Sequence, residues 1–210
     1  SAGAHQWTTT FGGTGYDHAS GVAVDGSGNV YVTGYFNNTV DFGAGNVNAG
    51  DDPDAFVTKL NAAGVHQWTN TFGSTYSVIG WSVAVDGSGN VHVTGRFRGT
   101  SDFGAGNVSA GGSFNVFVTK LNSAGAHQWT TTFGGTDDQS GFAVAVDGSG
   151  NVHVTGRFVG TVNFGAGDVT AAGGEDACVT RRNSSGDNQW RTAVGSTSAS
   201  RGQSVAGEGS

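Results

Sequence analysis

Proline occurs once in this 210-residue chain, cysteine once and methionine not at all, and only 12% of the residues are charged. A single cysteine closes no disulfide within the chain, and Cys178 stands where Phe56 and Phe117 stand one and two repeat lengths earlier, so it reads as a buried apolar residue. There is no run of Lys or Arg and the formal charge is −7, which repels phosphate backbones and excludes nucleic acid as a partner. No apolar stretch approaches the roughly 20 residues that cross a bilayer, so no membrane insertion is expected. Ser1 to His5 has neither the basic nor the apolar region of an export signal, and without an initiator methionine the chain reads as a processed product or a piece of something longer. Helix signals are missing too, since no segment carries an apolar stripe of 3.6-residue period.

What the chain has in excess is glycine, 39 residues, set among recurring Val, Thr, Phe and Trp. Their ordered alternation separates it from a disordered glycine-rich segment and predicts an all-β protein. Trp7, Trp68, Trp129 and Trp190 are spaced by 61 residues without insertions, Asp25-Gly26-Ser27-Gly28-Asn29 returns at Asp86 and Asp147, and Phe42-Gly43-Ala44-Gly45 returns at Phe103 and Phe164. Residues 65 to 125 and 126 to 186 share about 38 of 61 positions, far beyond what composition alone produces.

Each unit carries four strand signals. Gly21 to Val24, closed by the Asp-Gly-Ser-Gly-Asn turn, pairs with Val30 to Phe36, and Ala55 to Leu60 pairs across Asn61-Ala62-Ala63-Gly64 with His66 to Phe72. Residues 37 to 54 read as a long Gly/Asn-rich connection. Four short antiparallel strands in a unit of this length predict propeller-type four-stranded blades, which cover their faces with one another. The expected divisions are a partial unit over 1–20 contributing an outer strand at Trp7, full repeats over 21–81, 82–142 and 143–203, and the start of a truncated unit over 204–210. In the last outer strand Arg191, Ala193 and Val194 replace Thr69, Thr71 and Phe72. Two such chains would supply an outer and an inner strand for a further blade but neither middle strand, so the phase predicts self-association end to end or additional repeats of the same protein.

The strings from Val22 to Phe36 and from Asp54 to Gly64 resemble the bacterial seven-bladed beta-propeller repeat family (SBBP), with weaker similarity to NHL repeats. The resemblance implies a secreted or cell-surface bacterial protein with a binding or scaffold role and no assigned enzymatic activity, and it supplies no catalytic residues.

The residues themselves agree in pointing away from chemistry. The Asp-Gly-Ser-Gly-Asn turn has alternating oxygen ligands like the start of a calcium loop, but Phe36 stands where the bidentate carboxylate belongs, so it reads as a hairpin turn. Gly43-Ala44-Gly45 lies between strands rather than at a helix start, serines sit in no nucleophile elbow, and the repeated Asp25, Asp86 and Asp147 are separated by whole blades. No catalytic, metal or cofactor site is expected. His92, Arg96, His153 and Arg157 share one side of a strand but are Tyr31 and Tyr35 in the first unit, so they read as solvated or interblade contacts, with zinc unsupported by any close His/Cys pair.

Two kinds of binding residue remain. Trp7, Trp68, Trp129 and Trp190, each within a His-Gln-Trp or Asn-Gln-Trp string, could stack on sugars or fill the space between blades, the latter being the commoner use of a recurring aromatic. The unit-to-unit variation falls in residues 14 to 20 and 46 to 54 and their copies, which nominates Tyr16, Asp17, His18, Tyr76, Trp81, Asp137 and Asp138 as binding-loop residues. The expected function is a non-enzymatic extracellular scaffold or adhesive, self-assembling protein, the alternative being a multivalent carbohydrate-binding propeller with a glycan as partner.

Overall fold

The computed structural model describes residues 3–207, and the outermost residues of the expected 1–20 and 204–210 units lie outside the described residues. Among the described residues there are nineteen strands and no helix. After β1 (Gly12–Gly13) come β2 (Asp17–Val24), β3 (Val30–Phe36), β4 (Thr39–Asp41), β5 (Asn46–Asn48), β6 (Asp54–Leu60) and β7 (His66–Phe72). The second unit repeats them as β8 (Ser77–Val85), β9 (Val91–Arg98), β10 (Thr100–Asp102), β11 (Asn107–Ser109), β12 (Asn115–Leu121) and β13 (His127–Phe133). The third gives β14 (Ser140–Val146), β15 (Val152–Phe158), β16 (Thr161–Asn163), β17 (Asp168–Thr170), β18 (Asp176–Arg182) and β19 (Asn188–Val194).

Three antiparallel meanders result, β2-β3-β6-β7, β8-β9-β12-β13 and β14-β15-β18-β19, which are the expected four-stranded blades. Pairing follows the alternation along each strand. Tyr31 of β3, with Ala55 and Val57 of β6, faces blade 2, where Val91, Val93, Phe97 and Phe117 meet them in one buried cluster. A second cluster joins Val116 and Val118 of blade 2 to Val144, Val152 and Val154 of blade 3. These two clusters lie between blades, and a third, Phe36, Val40, Phe42 and Phe56, belongs to blade 1 alone.

Three features depart from the sequence reading. The innermost strands begin earlier than Gly21, at Asp17, and each contains a bulge, between Ala19 and Gly21, Gly80 and Ser82, and Gly141 and Ala143. The boundaries expected at 81/82 and 142/143 consequently fall inside β8 and β14. The polar string Asp17 to Ser20 shows no alternation because the bulge interrupts the two-residue period.

The long connection of residues 37 to 54 also holds a hairpin, β4 with β5, repeated as β10 with β11 and β16 with β17. Phe42 stands in its turn and packs 4.7 Å from Phe56 and 5.4 Å from Phe36 (centroid to centroid); Phe103 does the same in blade 2, and Phe164 meets Phe158 at 5.5 Å, with Cys178 where the second phenylalanine would be. Burying one such ring is worth about 1.5–3 kcal/mol, enough to hold a short hairpin down. Finally, residues around Trp7 form no strand, because a strand needs a lateral partner and the described residues offer none there. By contrast the altered β19 pairs fully with β18 from Ala177 opposite Val194 to Arg182 opposite Asn188.

Blades are registered by one contact made three times. The amide of Val78 donates to the Pro53 carbonyl, that of Gln139 to Phe114 and that of Ser200 to Glu175, each at 2.8 Å. Two residues on, Gly80, Gly141 and Gly202 lie against Thr33, Thr94 and Thr155, which are buried and donate their hydroxyls to Phe56, Phe117 and Cys178 carbonyls. A Cβ on Gly80 or Gly141 would stand 2.6 Å or 2.5 Å from the threonine oxygen, so only glycine fits. The segment carrying Ser200 and Gly202 docks on blade 3 in the place of a next inner strand although no strand pairs with it.

Gly141→Ala is expected to destabilise the chain by about 1–3 kcal/mol through overpacking of this junction. Gly87→Ala, where an added Cβ meets nothing within 4 Å, is expected to change stability by less than about 0.5 kcal/mol. Urea unfolding of the two variants checks the difference, and equal effects would remove the junction's role.

Candidate functional site

The repeated tryptophans lie at the blade junctions. Trp7, Trp68 and Trp129 donate Nε1–H to the carbonyls of Ala62, Ser123 and Ser184 at 3.0, 3.2 and 3.0 Å, each in the outer turn of the following blade. Their rings lie on Gly64, Gly125 and Gly186, all at positive φ, where a Cβ would come within 2.6, 3.0 and 2.9 Å of the indole. One ring face is thus occupied by backbone. Trp190 has no such turn beside it among the described residues and is 42% exposed.

The turn aspartates are taken up by their own hairpins. Asp25 Oδ1 accepts the Ser27 and Asn29 amides at 2.9 Å each, and Oδ2 accepts Asn29 Nδ2 at 2.7 Å and the Tyr31 hydroxyl at 3.0 Å. Asp147 repeats this, with His153 Nε2 at 3.4 Å in place of the phenol, and the Asn151 side chain foremost in drawing its carboxyl down to about 2. In blade 2 the buried His92 ring stands 3.6 Å from Asp86. Burial lowers its pKa, opposed by Asp86. Tyr31, His92 and His153 therefore do one job, each packed at 6.0 to 6.2 Å from the outer tryptophan of its own blade. The substitution of tyrosine by histidine, read from sequence as a change of chemistry, preserves it, because both offer a ring and a polar atom toward the same carboxylate. Cys178 is buried, which pushes its thiol up to about 12.

The seven nominated loop residues divide. Asp17 and His18 lie in β2 and Trp81 in β8, so they are strand residues rather than loop residues, while Tyr16, Tyr76, Asp137 and Asp138 lie just before the inner strands. His18 stacks on Tyr35 at 5.3 Å, Tyr35 meets Trp81 edge-on at 6.3 Å, and Trp81 meets Phe142 at 6.4 Å. Trp81 and Phe142 are the bulge residues of their strands, and this aromatic row crosses all three blades. Arg96 closes it, 6.0 Å from Trp81 and 4.2 Å from Phe114, its pKa lowered by burial and then by Arg157.

Beside the row is a rim where the entry to each inner strand faces the short hairpin, and its chemistry changes from blade to blade. In blade 1 a cavity of about 500 Å³ is lined by Thr14, Tyr16, Asn37, Asn38 and Asp51. At the matching place in blade 2, Arg98 lies 5.2 Å from the Tyr76 ring. In blade 3 a cavity of about 490 Å³ is lined by Asp137, Asp138, Arg157 and Glu175 among others. There Asp138 accepts from Ser113 Oγ, which lowers its pKa, and Glu175 bridges Arg157 and Arg201. The rim was only partly readable from sequence, since Arg98, Asn37 and Arg157 face it from the neighbouring strand and carry no local signal of doing so.

Residues 6–39 match the family model SBBP, described as a beta-propeller repeat. The chain is 28% identical over 171 residues to the uncharacterized WD repeat-containing protein L264 of Acanthamoeba polyphaga mimivirus, covering 67% of this chain and 12% of that protein. It is 27% identical over 110 residues to the regulatory protein FlaEY of Caulobacter vibrioides, covering 50% of this chain and 12% of that protein. The match thus spans about an eighth of these relatives. Among solved structures, a protein of unknown function from Bacteroides caccae aligns over 90% of this chain and 85% of its own with a TM-score of 0.32 and 8% identity, a likeness too slight to carry weight.

Asp54, half-buried at the start of β6 and close to Gly73, is a titrating group. Burial, and then the charge of Asp52, raise its pKa from 3.8 to about 6. The folded chain therefore holds a proton there that the unfolded chain has released, so this group's stabilisation is full below about pH 4 and lost as pH rises through about 6. Asp54→Asn, the residue found at position 115, is expected to raise stability at pH 7.5 by about 1 kcal/mol after solvent screening and to leave it unchanged at pH 3.5. Urea denaturation at both pH values checks the sign.

Proposed function

We propose that this beta-propeller-repeat chain is a non-enzymatic extracellular scaffold whose blades dock on further blades, including those of other copies, while the rim supplies recognition. The observation that carries the reading is the contrast between equivalent valines. Val83 and Val144, on inner strands covered by a preceding blade, are 6% and 5% exposed, whereas Val22 of blade 1 is 66% and its neighbour Val24 58% exposed. A face built for docking is left open, and contiguous apolar surface of this kind favours association. The junction contacts recur from blade to blade while the rim residues differ, as expected of a framework that varies what it presents.

A second reading, carbohydrate binding, draws support from Tyr16, exposed beside the amides of Asn37 and Asn38 in the blade 1 cavity. An aromatic face next to amide donors suits a pyranose ring. In this reading sugar contact falls to the rim rather than to Trp7, Trp68 and Trp129, whose junction positions leave less ring to offer.

Sedimentation velocity over a concentration series is expected to give a mass that rises with concentration, and the double variant Val22→Thr, Val24→Thr is expected to remain monomeric. A wild-type chain that stays monomeric throughout would sink the self-association reading. A glycan array discriminates the second reading, with binding that Tyr16→Ala abolishes as its positive outcome.

A further inference from the structure

The groove between blades 1 and 2 is open, whereas its counterpart one repeat later is filled by an arginine of the chain itself. Arg182, at the position of Leu60 and Leu121, is only 2% exposed. Its guanidinium carbon lies 5.1 Å from the Phe133 ring centre, Nη1 donates to the Gly186 carbonyl at 3.1 Å and Nη2 to the Phe164 carbonyl at 3.3 Å. Burial lowers its pKa to about 10, opposed by the charge of Asp187.

One repeat earlier Leu121 is too short to reach these places, and a cavity of about 430 Å³ remains, within the range of small-ligand sites. Its lining includes Phe72, Phe103, Gly125 and Ala126, the counterparts of Phe133, Phe164, Gly186 and Asp187, together with Asp102 and His127. The acceptors that Arg182 uses have capacity to spare here. Gly186 takes two side-chain donors, Arg182 and Thr131, but Gly125 takes one, Asn70 Nδ2 at 2.9 Å. Phe164 takes Arg182 and Asn188, while Phe103 takes no side-chain donor among the described residues. Blade 3 has the neutral Asn163 where blade 2 has Asp102, whose carboxylate accepts the Gly104 and Gly106 amides and whose pKa they lower.

We propose that this groove is a binding site for a guanidinium group, taken in trans where Arg182 is supplied in cis. The Phe103 and Gly125 carbonyls accept the N–H groups of the flat cation, Asp102 supplies the opposing charge, and the Phe72 ring, itself buried, meets the cation only where it lines the groove. An ammonium group is disfavoured, since it can neither lie flat on the ring nor reach both carbonyls with a planar fork. The site is independent of blade docking and of the rim.

The test is an amide-shift NMR titration of the whole chain with N-acetyl-arginine amide, N-acetyl-lysine amide and an arginine-containing peptide. Saturable shifts at Gly104, Gly125 and His127 are expected with the arginine derivative, with a Kd of the order of 1 mM and at least about tenfold weaker binding of the lysine derivative. Leu121→Arg, which plugs the groove as blade 3 does, is expected to abolish the shifts. Asp102→Asn, which installs the residue of blade 3, is expected to weaken binding about tenfold with the fold intact, and it carries the test if Leu121→Arg does not fold. Tighter binding of the peptide than of the free derivative would assign the site to a partner's side chain, and equal binding would assign it to a small ligand. Absence of saturable shifts in the wild-type chain, or undiminished binding by a folded Leu121→Arg, would overturn the proposal.

Discussion

The close approach of each inner strand to the blade before it is the contact on which the rest of this structure depends. A four-stranded sheet standing alone buries neither face, so its valines and phenylalanines are covered only if the next sheet comes near. Gly80 and Gly141 permit that approach, the buried Thr33 and Thr94 meet them, and the amides of Val78 and Gln139 register the two sheets against Pro53 and Phe114. The outer edge is then tied by Trp68 and Trp129, whose indole N–H groups reach the next blade's turn while their rings lie on its glycine. Inner and outer contacts act at opposite ends of the same interface, and together they hold the blades at one mutual orientation.

Within that frame substitutions are tolerated where the physical role survives. Tyr31, His92 and His153 each bring a ring beneath the outer tryptophan and a polar atom toward the turn aspartate. Arg182 in place of leucine keeps a core position by aligning its guanidinium with two carbonyls and a ring, which offsets part of what burying a charge costs, since its Nε stays without a partner among the described residues. The rim differs in kind, because the phenol and amides of blade 1, the Arg98–Tyr76 pair of blade 2 and the carboxylate–guanidinium set of blade 3 have no role in common.

Much of the candidate site was half legible. Tyr16, Tyr76, Asp137 and Asp138 could be nominated because they break an otherwise faithful repeat, but Asp17, His18 and Trp81 proved to be strand residues once the bulges extended β2 and β8. A bulge adds one residue and inverts the alternation, so the pattern that marks a strand is lost at the place where one begins. The β4–β5 hairpin and its copies escaped notice for a related reason. Three-residue strands carry too little alternation to read, and their anchor, Phe42, acts through contacts with Phe36 and Phe56 on other strands, which no period in the sequence marks.

By itself the sequence determined the repeat, its 61-residue period, the four principal strands of each unit and the hairpin turns between them, because alternation and turn chemistry are local properties of neighbouring residues. Only the tertiary structure decided which glycines are steric necessities, that the recurring tryptophans bridge successive blades, and that Arg182 fills a groove which Leu121 leaves open. Those facts depend on contacts between residues distant in the chain, 18 positions for Arg182 with Phe164 and 55 for the tryptophans with the next turn, which no local pattern encodes and which arise only when one sheet is laid on the next.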